Sequence, residues 1–283
     1  MDLEEIDLEP RMIAIIAIFS TVAALFLIWL WMIAPRPRKK AMQPFLRPYA
    51  HRGLWSEGVP ENSLAAFRAA VEAGYGIELD VQLSADGTVM VFHDYTLDRV
   101  CGREGLLTDL PEAELADIPL AGTKETIPTL EEVLRVVDGR VPLLIELKGE
   151  TGDTSIVPAT LAVLEGYQGL WCMESFNPLL VRAVKKQAPH VVRGLLSTDL
   201  CKEKKRGSWF LNFILSSLLV TFLCRPHFHA WDGRYPRRRA LRVGLHWFKT
   251  GSLVFTISTQ KDYDDFMARG VYPIFERFVP EKK

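Results

Sequence analysis

The fold is decided by residues 77–93, which read IELDVQLSADGTVMVFH. An apolar, strand-like run begins at Ile77, and Asp86-Gly87 is typical of a turn between two strands. Glu78 and Asp80 are two residues apart, so on a strand their carboxylates lie on the same face. Two like charges side by side are unfavourable unless a cation or a base separates them. The segment therefore predicts a strand that carries an ionic site.

Working outward from this segment, strand-like runs alternate with amphipathic, helix-like runs, which favours an α/β fold with a parallel sheet. Two helices are well marked, at residues 63–73 and 129–137, the second capped by Thr129 with Glu132 three residues later. The candidate strands are residues 48–51, 77–83, 88–93, 141–147, 170–175, 191–196, 228–231, 253–257 and 271–275. An eight-stranded barrel can use only eight of these nine, so one assignment would then be wrong or marginal.

A third carboxylate strengthens the ionic site. Glu146 ends another apolar run, with Lys148 two residues further on. Together with Glu78 and Asp80 it forms a set of oxygen ligands that favours Mg²⁺, Mn²⁺ or Ca²⁺ over zinc. Strand ends are also where a barrel places its chemistry. If Glu78 and Asp80 stood alone, a pair facing solvent at a strand end would be the better interpretation. The third carboxylate, Glu146, weakens that interpretation.

Two histidines accompany these carboxylates. His51 ends the first candidate strand and His93 ends the third, and such a pair beside carboxylates favours acid–base chemistry over structural roles. Arg52 could bind a phosphate in a bidentate manner, and Lys148 could add a point charge. Asn62 has two open interpretations, a cap for the helix that follows or a ligand or substrate contact. The set is typical of a metal-dependent phosphodiesterase.

These residues lie in short motifs that follow one another along the chain. The motifs are Ala50-His51-Arg52-Gly53, Glu61-Asn62-Ser63, Ile77-Glu78-Leu79-Asp80-Val81, Asp86-Gly87, Val91-Phe92-His93-Asp94, Leu97-Asp98-Arg99, Pro128-Thr129-Leu130-Glu131-Glu132, Glu146-Leu147-Lys148 and Ser175-Phe176. Taken together they resemble the glycerophosphodiester phosphodiesterase family. The similarity is strong over residues 49–196 and looser beyond them.

The resemblance implies a TIM (β/α)₈ barrel that cleaves glycerophosphodiesters to glycerol 3-phosphate and an alcohol. It implies a divalent metal ion (Mg²⁺, Ca²⁺ or Mn²⁺) as cofactor. The implied metal ligands are Glu78, Asp80 and Glu146, the acid and base are His51 and His93, and the phosphate is bound by Arg52 and Lys148. Near the C-terminus, residues 255–258 and 273–277 depart from the family's usual strands. That departure concerns the pocket for the alcohol rather than the phosphodiester chemistry.

An apolar, uncharged stretch at residues 12–34 precedes this domain, and crossing a bilayer takes only ~20 residues. We expect a single transmembrane helix rather than a signal peptide, because the run is too long and no small-x-small cleavage site follows. The predicted organisation is an acidic flank at 1–11, the transmembrane helix at 12–34, a basic linker at 35–44 and the barrel at 45–283. The positive-inside rule then predicts a cytoplasmic barrel.

A second apolar stretch, residues 209–224, would make one helix of ~24 Å, short of the ~30 Å hydrocarbon core. Three interpretations remain open: a buried barrel helix, a helix lying on the membrane, and a second span. Nearby basic residues slightly favour the membrane surface, since each contributes about 1 kcal/mol near an anionic leaflet. These residues are Lys202, Lys204, Lys205, Arg206, Arg225, Arg237, Arg238 and Arg239.

Composition limits the partners. The net charge of −1 gives no reason to expect nucleic acid, and the four cysteines show no paired spacing that would indicate zinc or a disulfide framework. The predicted function is a membrane-anchored phosphodiesterase acting on glycerophosphodiesters or on lysophospholipid headgroups, with the bilayer as a partner. The alternatives are a non-catalytic lipid-binding protein on a degenerate barrel and a lyase-type phospholipase D that forms a cyclic phosphate.

Overall fold

Eight parallel strands close into a barrel in the computed structural model, which describes residues 9–149, 151–203 and 208–281. The strands are β1 Tyr49–His51, β2 Gly76–Leu83, β3 Val89–Val91, β4 Leu143–Leu147, β5 Trp171–Ser175, β6 Arg193–Ser197, β7 Phe228–Asp232, β8 Gly251–Ile257 and β9 Tyr272–Phe275. All except β3 pair in parallel, and β1 pairs with both β9 and β2, which closes the ring. The predicted TIM barrel is confirmed.

The helices alternate with these strands. They are α1 Pro10–Ile33, α2 Lys39–Met42, α3 Leu64–Ala73, α4 Asp98–Cys101, α5 Glu112–Leu115, α6 Leu130–Val137, α7 Ile156–Val163, α8 Pro178–Gln187, α9 Trp209–Ser216, α10 Thr221–Cys224, α11 Arg239–His246 and α12 Gln260–Ala268. Single 3₁₀ turns occur at Gln43–Phe45 and Leu107–Asp109. The predicted capping box forms at α6, where Thr129 Oγ1 accepts from the backbone N–H of Glu132.

Of the nine predicted strands, β3 is the one that does not belong to the eight-stranded barrel. It pairs antiparallel with β2, Val91 opposite Val81, and forms a hairpin outside the barrel. The turn works because Gly87 has a φ of +84°, a conformation that glycine adopts without steric cost. The hairpin returns the chain to the end of β2, where the backbone N–H of Phe92 donates to the carbonyl of Asp80. His93 is thereby brought beside the carboxylates of β2.

The basic linker contributes to the core at the N-terminal end of the barrel. Met42 and Phe45 are buried there and pack with apolar side chains inside the barrel, among them Tyr49 and Phe228. The Tyr49 hydroxyl donates to the carbonyl of Phe45 at 3.1 Å. The interior of the barrel at the end opposite the carboxylates is therefore packed with apolar side chains.

Helix α1 has 24 residues, about 36 Å at 1.5 Å per residue. Within the described residues it is the one helix long and apolar enough to cross a membrane. Only its C-terminal end packs on the barrel: Ile33 is buried, and the Trp31 ring lies 4.8 Å from that of Phe222. Arg225 Nη1 donates to the carbonyls of Trp31 and Ala34 at 2.8 and 2.6 Å, which satisfies the end of the helix.

The expectation of one helix over residues 209–224 is wrong, since the chain breaks into α9 and α10, of 8 and 4 residues. Leu218 lies between them with a φ of +57° and a buried side chain, so the chain turns to place it in the core. Helix α10 packs on α8, whereas Trp209 and Phe210 of α9 are exposed. Neither helix is long enough to span a bilayer. Lys204, Lys205 and Arg206 lie outside the described residues.

Close packing inside the barrel predicts the effect of one small substitution. A Cβ added at Gly194 would lie 2.3 Å from ring atoms of Phe228, which is fully buried. We expect Gly194→Ala to lower the free energy of unfolding by about 1–3 kcal/mol, the usual cost of overpacking. Urea unfolding of the detergent-solubilised protein measures it. Gly152→Ala is the matched control, because nothing lies within 4 Å of its added Cβ; equal midpoints for the two variants would contradict the packing argument.

Candidate active site

Three carboxylates lie side by side at the C-terminal ends of two neighbouring strands. Glu78 and Asp80 share one face of β2, and Asp80 is the register partner of Glu146 on β4. One oxygen from each lies within 4.8 Å of the others, and all three residues are buried. The structure therefore brings together the three residues predicted to hold a metal ion.

The carboxylates of this cluster have shifted pKa values, because they are buried and lie close to one another and to cationic side chains. Burial, followed by the charges of Asp80 and Glu146, raises the pKa of Glu78 well above its usual value. Burial also raises the pKa of Glu146 to about 7, although Lys148 opposes the shift. Burial would do the same to Asp80, but Lys148, His93 and Arg52 together lower its pKa. Lys148 Nζ lies 3.3 Å from Asp80 Oδ1 and 3.1 Å from Glu146 Oε1.

The residues present fit a divalent cation. The donor atoms are all oxygens, which hard cations such as Mg²⁺, Mn²⁺ and Ca²⁺ prefer. Among the described residues Asn62 Oδ1 is buried without a hydrogen-bond partner, which is unusual in a protein interior, and Asp80 Oδ1 is buried with the ammonium of Lys148 at 3.3 Å. A cation would satisfy these oxygens and separate the like charges of Glu78, Asp80 and Glu146.

A fourth carboxylate, Glu174, was not predicted. It lies on β5 as the register partner of Glu146 and is 1% exposed. Neither of its oxygens has a hydrogen-bond partner among the described residues. Burial, followed by the charges of Glu146 and Asp80, raises the pKa of Glu174 well above the usual value. The available signal was the same as for Glu146, a single acidic residue near the end of an apolar strand. No family motif pointed to it.

His51 lies at the end of β1, next to the carboxylates. Its Nδ1 is 2.7 Å from Oε2 of Glu276, and its Nε2 is 3.9 Å from Oε2 of Glu78. The contact with Glu276 places the hydrogen of the neutral ring on Nδ1 and leaves Nε2 as the acceptor. Burial lowers the pKa of His51, although the hydrogen bond to Glu276 opposes the shift. Glu276 was not predicted as a site residue; it follows directly after β9.

His93 is held in a similar way. Its Nδ1 lies 2.5 Å from Oδ1 of Asp94, and Asp94 in turn accepts from Arg99 Nε at 2.5 Å. Burial lowers the pKa of His93, with Asp80 opposing the shift. Both histidines thus present Nε2 for proton transfer while a carboxylate fixes Nδ1, an arrangement common to catalytic imidazoles.

The two predicted phosphate ligands lie at the site but are paired with carboxylates. Arg52 Nη1 donates to Glu61 at 2.6 Å, and its Nε, 3.6 Å from Asp80 Oδ2, is buried without a hydrogen bond. The backbone N–H of Arg52 donates to Glu78 at 3.0 Å, so the residue also positions that carboxylate. Lys148 is shared between Asp80 and Glu146.

The two interpretations of Asn62 are separated by its contacts. The cap of α3 is Ser63, whose Oγ accepts from the backbone N–H of Ala66. The Asn62 Nδ2 instead donates to Asp80 Oδ2 at 3.0 Å. Asn62 therefore belongs to the carboxylate site, where it orients Asp80.

A cavity of about 160 Å³ opens onto this site, and Asp80, Asn62 and Lys148 are not part of its lining. Its polar lining is His51, Arg52, Glu78, His93, Glu146, Glu174 and Thr256, and its apolar lining is Phe176, Leu196, Phe255 and Ile274. Two imidazoles with free acceptors, two cationic side chains and a carboxylate cluster suited to a cation can bind an anionic group and move protons beside it.

Comparison with known proteins gives a family match. The model of the glycerophosphoryl diester phosphodiesterase family matches residues 51–212. A glycerophosphodiester phosphodiesterase of Bacillus altitudinis is 41% identical over 242 residues, which cover 81% of this chain and 94% of that protein. One of Caldanaerobacter subterraneus subsp. tengcongensis is 39% identical over 160 residues, 52% of this chain and 65% of that protein.

Solved structures show the same architecture. A phosphodiesterase of Oleispira antarctica, solved in complex with the product sn-glycerol-3-phosphate, aligns with a TM-score of 0.67 and 26% identity, covering 81% of this chain and 92% of that one. A glycerophosphodiester phosphodiesterase of Thermotoga maritima aligns with a TM-score of 0.62 and 27% identity, covering 81% and 94%.

The unpaired carboxylate of Glu174 generates a prediction. In chelator-containing buffer Glu174 must either stay charged beside three other carboxylates or take up a proton, and both cost free energy. We expect Glu174→Gln to raise the free energy of unfolding of the cation-free protein by about 1 kcal/mol or more, measured by urea unfolding.

Glu61→Gln is the matched control for this measurement. Glu61 accepts from both Arg52 and Arg99, so its neutralisation removes favourable pairs and should lower stability. If both variants lowered the free energy of unfolding, the charge of Glu174 would not be unfavourable in the folded protein.

Proposed function

The chain belongs to the glycerophosphoryl diester phosphodiesterase family, and we propose that it cleaves glycerophosphodiesters to glycerol 3-phosphate and an alcohol. The observation that carries this proposal is the single cavity lined by both histidines and the buried carboxylates. The Oleispira antarctica phosphodiesterase, whose product is sn-glycerol-3-phosphate, supports the same product here.

Glu78, Asp80 and Glu146 would hold the divalent cation, Mg²⁺, Ca²⁺ or Mn²⁺. When bound, the cation would stabilise the negative charge of the phosphodiester in the transition state. Two neighbours keep the ligands in place: the Asn62 amide donates to Asp80, and the backbone N–H of Arg52 donates to Glu78. Such contacts to ligands are commonly worth 10- to 100-fold in metal affinity.

His51 and His93 would act together as the general acid and the general base, with the two roles left open between them. The neutral ring takes a proton at Nε2 from the attacking oxygen, and the protonated ring gives one to the oxygen of the leaving alcohol. Glu276 and Asp94 hold the rings in the required tautomer and stabilise the charged form when it arises. The attacking oxygen is either water, which gives glycerol 3-phosphate, or a glycerol hydroxyl, which gives a cyclic phosphate as in a lyase.

Arg52 and Lys148 would bind the phosphate. Arg52 lines the cavity, and its Nε forms no hydrogen bond to the described residues, so it can donate to a phosphate oxygen without breaking a hydrogen bond. Lys148 has three donors and two carboxylate neighbours, which leaves one for substrate. Their pairing with Asp80, Glu146 and Glu61 keeps both side chains ordered before substrate arrives.

A lysophospholipid is the second candidate substrate, and the surface beside the cavity favours it. Phe176 lines the cavity and is 42% exposed, and nearby Leu179, at the start of α8, is 38% exposed. Helix α1 would tether the barrel to a membrane with the barrel in the cytoplasm. The product from a lysophospholipid would be a lysophosphatidic acid.

The first experiment measures cleavage of glycerophosphocholine, glycerophosphoglycerol and lysophosphatidylcholine by the full chain in detergent, with and without chelator. We expect cation-dependent cleavage that is lost in Glu78→Gln, since this variant removes a charged ligand. His51→Gln and His93→Gln should each lower kcat by about 10²–10⁴-fold, the usual contribution of a general acid or base. Product analysis separates glycerol 3-phosphate from a cyclic phosphate.

His246→Gln is the control, because His246 is exposed at the end of α11 and does not line the cavity. Full activity in the histidine variants would contradict their catalytic roles. Binding of lysolipid without turnover of any substrate would instead support a non-catalytic lipid-binding protein.

The membrane assignment has its own prediction. We expect the protein to remain in the pellet after alkaline carbonate extraction, because α1 has no charged residue after Arg11 and is long and apolar enough to span a membrane. In sealed cells, external protease should leave the barrel intact, since the basic residues after α1 favour a cytoplasmic barrel. Release at high pH would show that α1 is not an anchor, and digestion of the barrel would reverse the orientation.

A further inference from the structure

A second cavity, of about 250 Å³, lies at the end of the barrel opposite the carboxylates, where β7, β8 and β9 begin. It is bounded by the linker that follows α1 and by the strand ends. Its lining is Pro37, Arg38, Lys39, Met42, Gln43, Leu46, His227, Lys249, Thr250, Gly251, Ser252 and Gly270. The volume is below the ~300 Å³ at which pockets for drug-sized ligands begin, so a small group suits it better.

The charge of this cavity is positive and unbalanced. Arg38, Lys39 and Lys249 line it, and across residues 9–149, 151–203 and 208–281 none of the three forms an ion pair. No aspartate or glutamate belongs to its lining. Each of the three cationic side chains is exposed, so an incoming anion can reach them. Three cations around a concave surface attract an anion from solution.

His227 adds a neutral donor. Its Nδ1 accepts the backbone N–H of Arg193 at 3.3 Å, so the hydrogen of the neutral ring is on Nε2. Burial, then the charges of Arg193, Arg38 and Arg36, lowers the pKa of His227 to about 3, which keeps the ring neutral. Arg193 is itself buried, and its Nη1 has no hydrogen-bond partner. The positive cluster thus extends behind the cavity, where an anion would compensate it.

The cavity is also close to the end of α1. Arg38 follows Ala34 by four residues, a chain length that spans at most about 14 Å. The intervening linker is fixed to the barrel, because the backbone N–H of Arg36 donates to the carbonyl of Pro226 at 2.9 Å. If α1 spans a bilayer, the cavity lies in or next to the headgroup layer of the leaflet on the barrel side.

We propose that this cavity is an anion site that binds the phosphate of an anionic lipid headgroup, separate from the catalytic cavity at the other end of the barrel. Arg38, Lys39 and Lys249 supply the charge, and His227 supplies a neutral donor. Basic pockets beside transmembrane helices are known sites for phosphate-bearing headgroups. Occupancy would fix the barrel against the membrane surface. A soluble phosphate compound has the same chemistry and is the other source to be tested.

The test titrates the detergent-solubilised full chain with dioctanoyl phosphatidic acid, dioctanoyl phosphatidylcholine and inorganic phosphate, following the unfolding temperature. We expect phosphatidic acid to raise this temperature and phosphatidylcholine to leave it unchanged. Lys39→Gln and Lys249→Gln should each weaken the apparent affinity about fivefold, the equivalent of about 1 kcal/mol per basic residue removed.

Lys40→Gln is the matched control, because Lys40 is the next residue along the chain and does not line the cavity. Equal loss of affinity in Lys40→Gln would show diffuse attraction to a basic surface and overturn the site. Binding that persists in Lys39→Gln and Lys249→Gln would place the lipid elsewhere, the catalytic cavity included, and would also overturn it. Inorganic phosphate binding as tightly as phosphatidic acid, with the same sensitivity to both variants, would support the anion site and assign it to soluble phosphate compounds.

Discussion

The structure of the active site depends on the repulsion among four buried carboxylates. Glu78, Asp80, Glu146 and Glu174 lie on three neighbouring strands in a common register, because side chains of one parity all face the inside of the barrel. Lys148 and Arg52 offset part of this negative charge, although Arg52 also pairs with Glu61. The fold thus creates a cluster of buried carboxylates that a hard divalent cation would stabilise.

Much of the fold and part of the site could be predicted from the sequence. The Asp86-Gly87 turn and the spacing of Glu78 and Asp80 are local signals, and both appear in the structure as expected. Glu174 and Glu276 were not predicted, because their roles come from tertiary neighbours: Glu146 across the β4–β5 pair, and His51 across the pair of β1 and β9 that closes the barrel. The break near Leu218 is likewise set by core packing and has no local signal.

Each of the two histidines has a carboxylate at Nδ1, but the two carboxylates lie at very different distances along the chain. His93 contacts its neighbour in sequence, Asp94, whereas His51 contacts Glu276, 225 residues away. The pair of His93 and Asp94 is visible in the sequence, because the two residues are adjacent. The second forms only when β9 returns beside β1 and completes the ring. The carboxylate that holds His51 Nδ1 is therefore in place only when the last strand of the barrel is paired.

The apolar contacts of the linker have a practical consequence for anyone preparing the barrel alone. Met42 and Phe45 are part of the packed interior, and Ile33 packs against the outer helices. A shortened protein that starts after Phe45 would open the base of the barrel and expose Tyr49 and Phe228 to water. A workable soluble version would therefore keep Ile33 and the linker, and would replace only the outward-facing apolar side chains of α1.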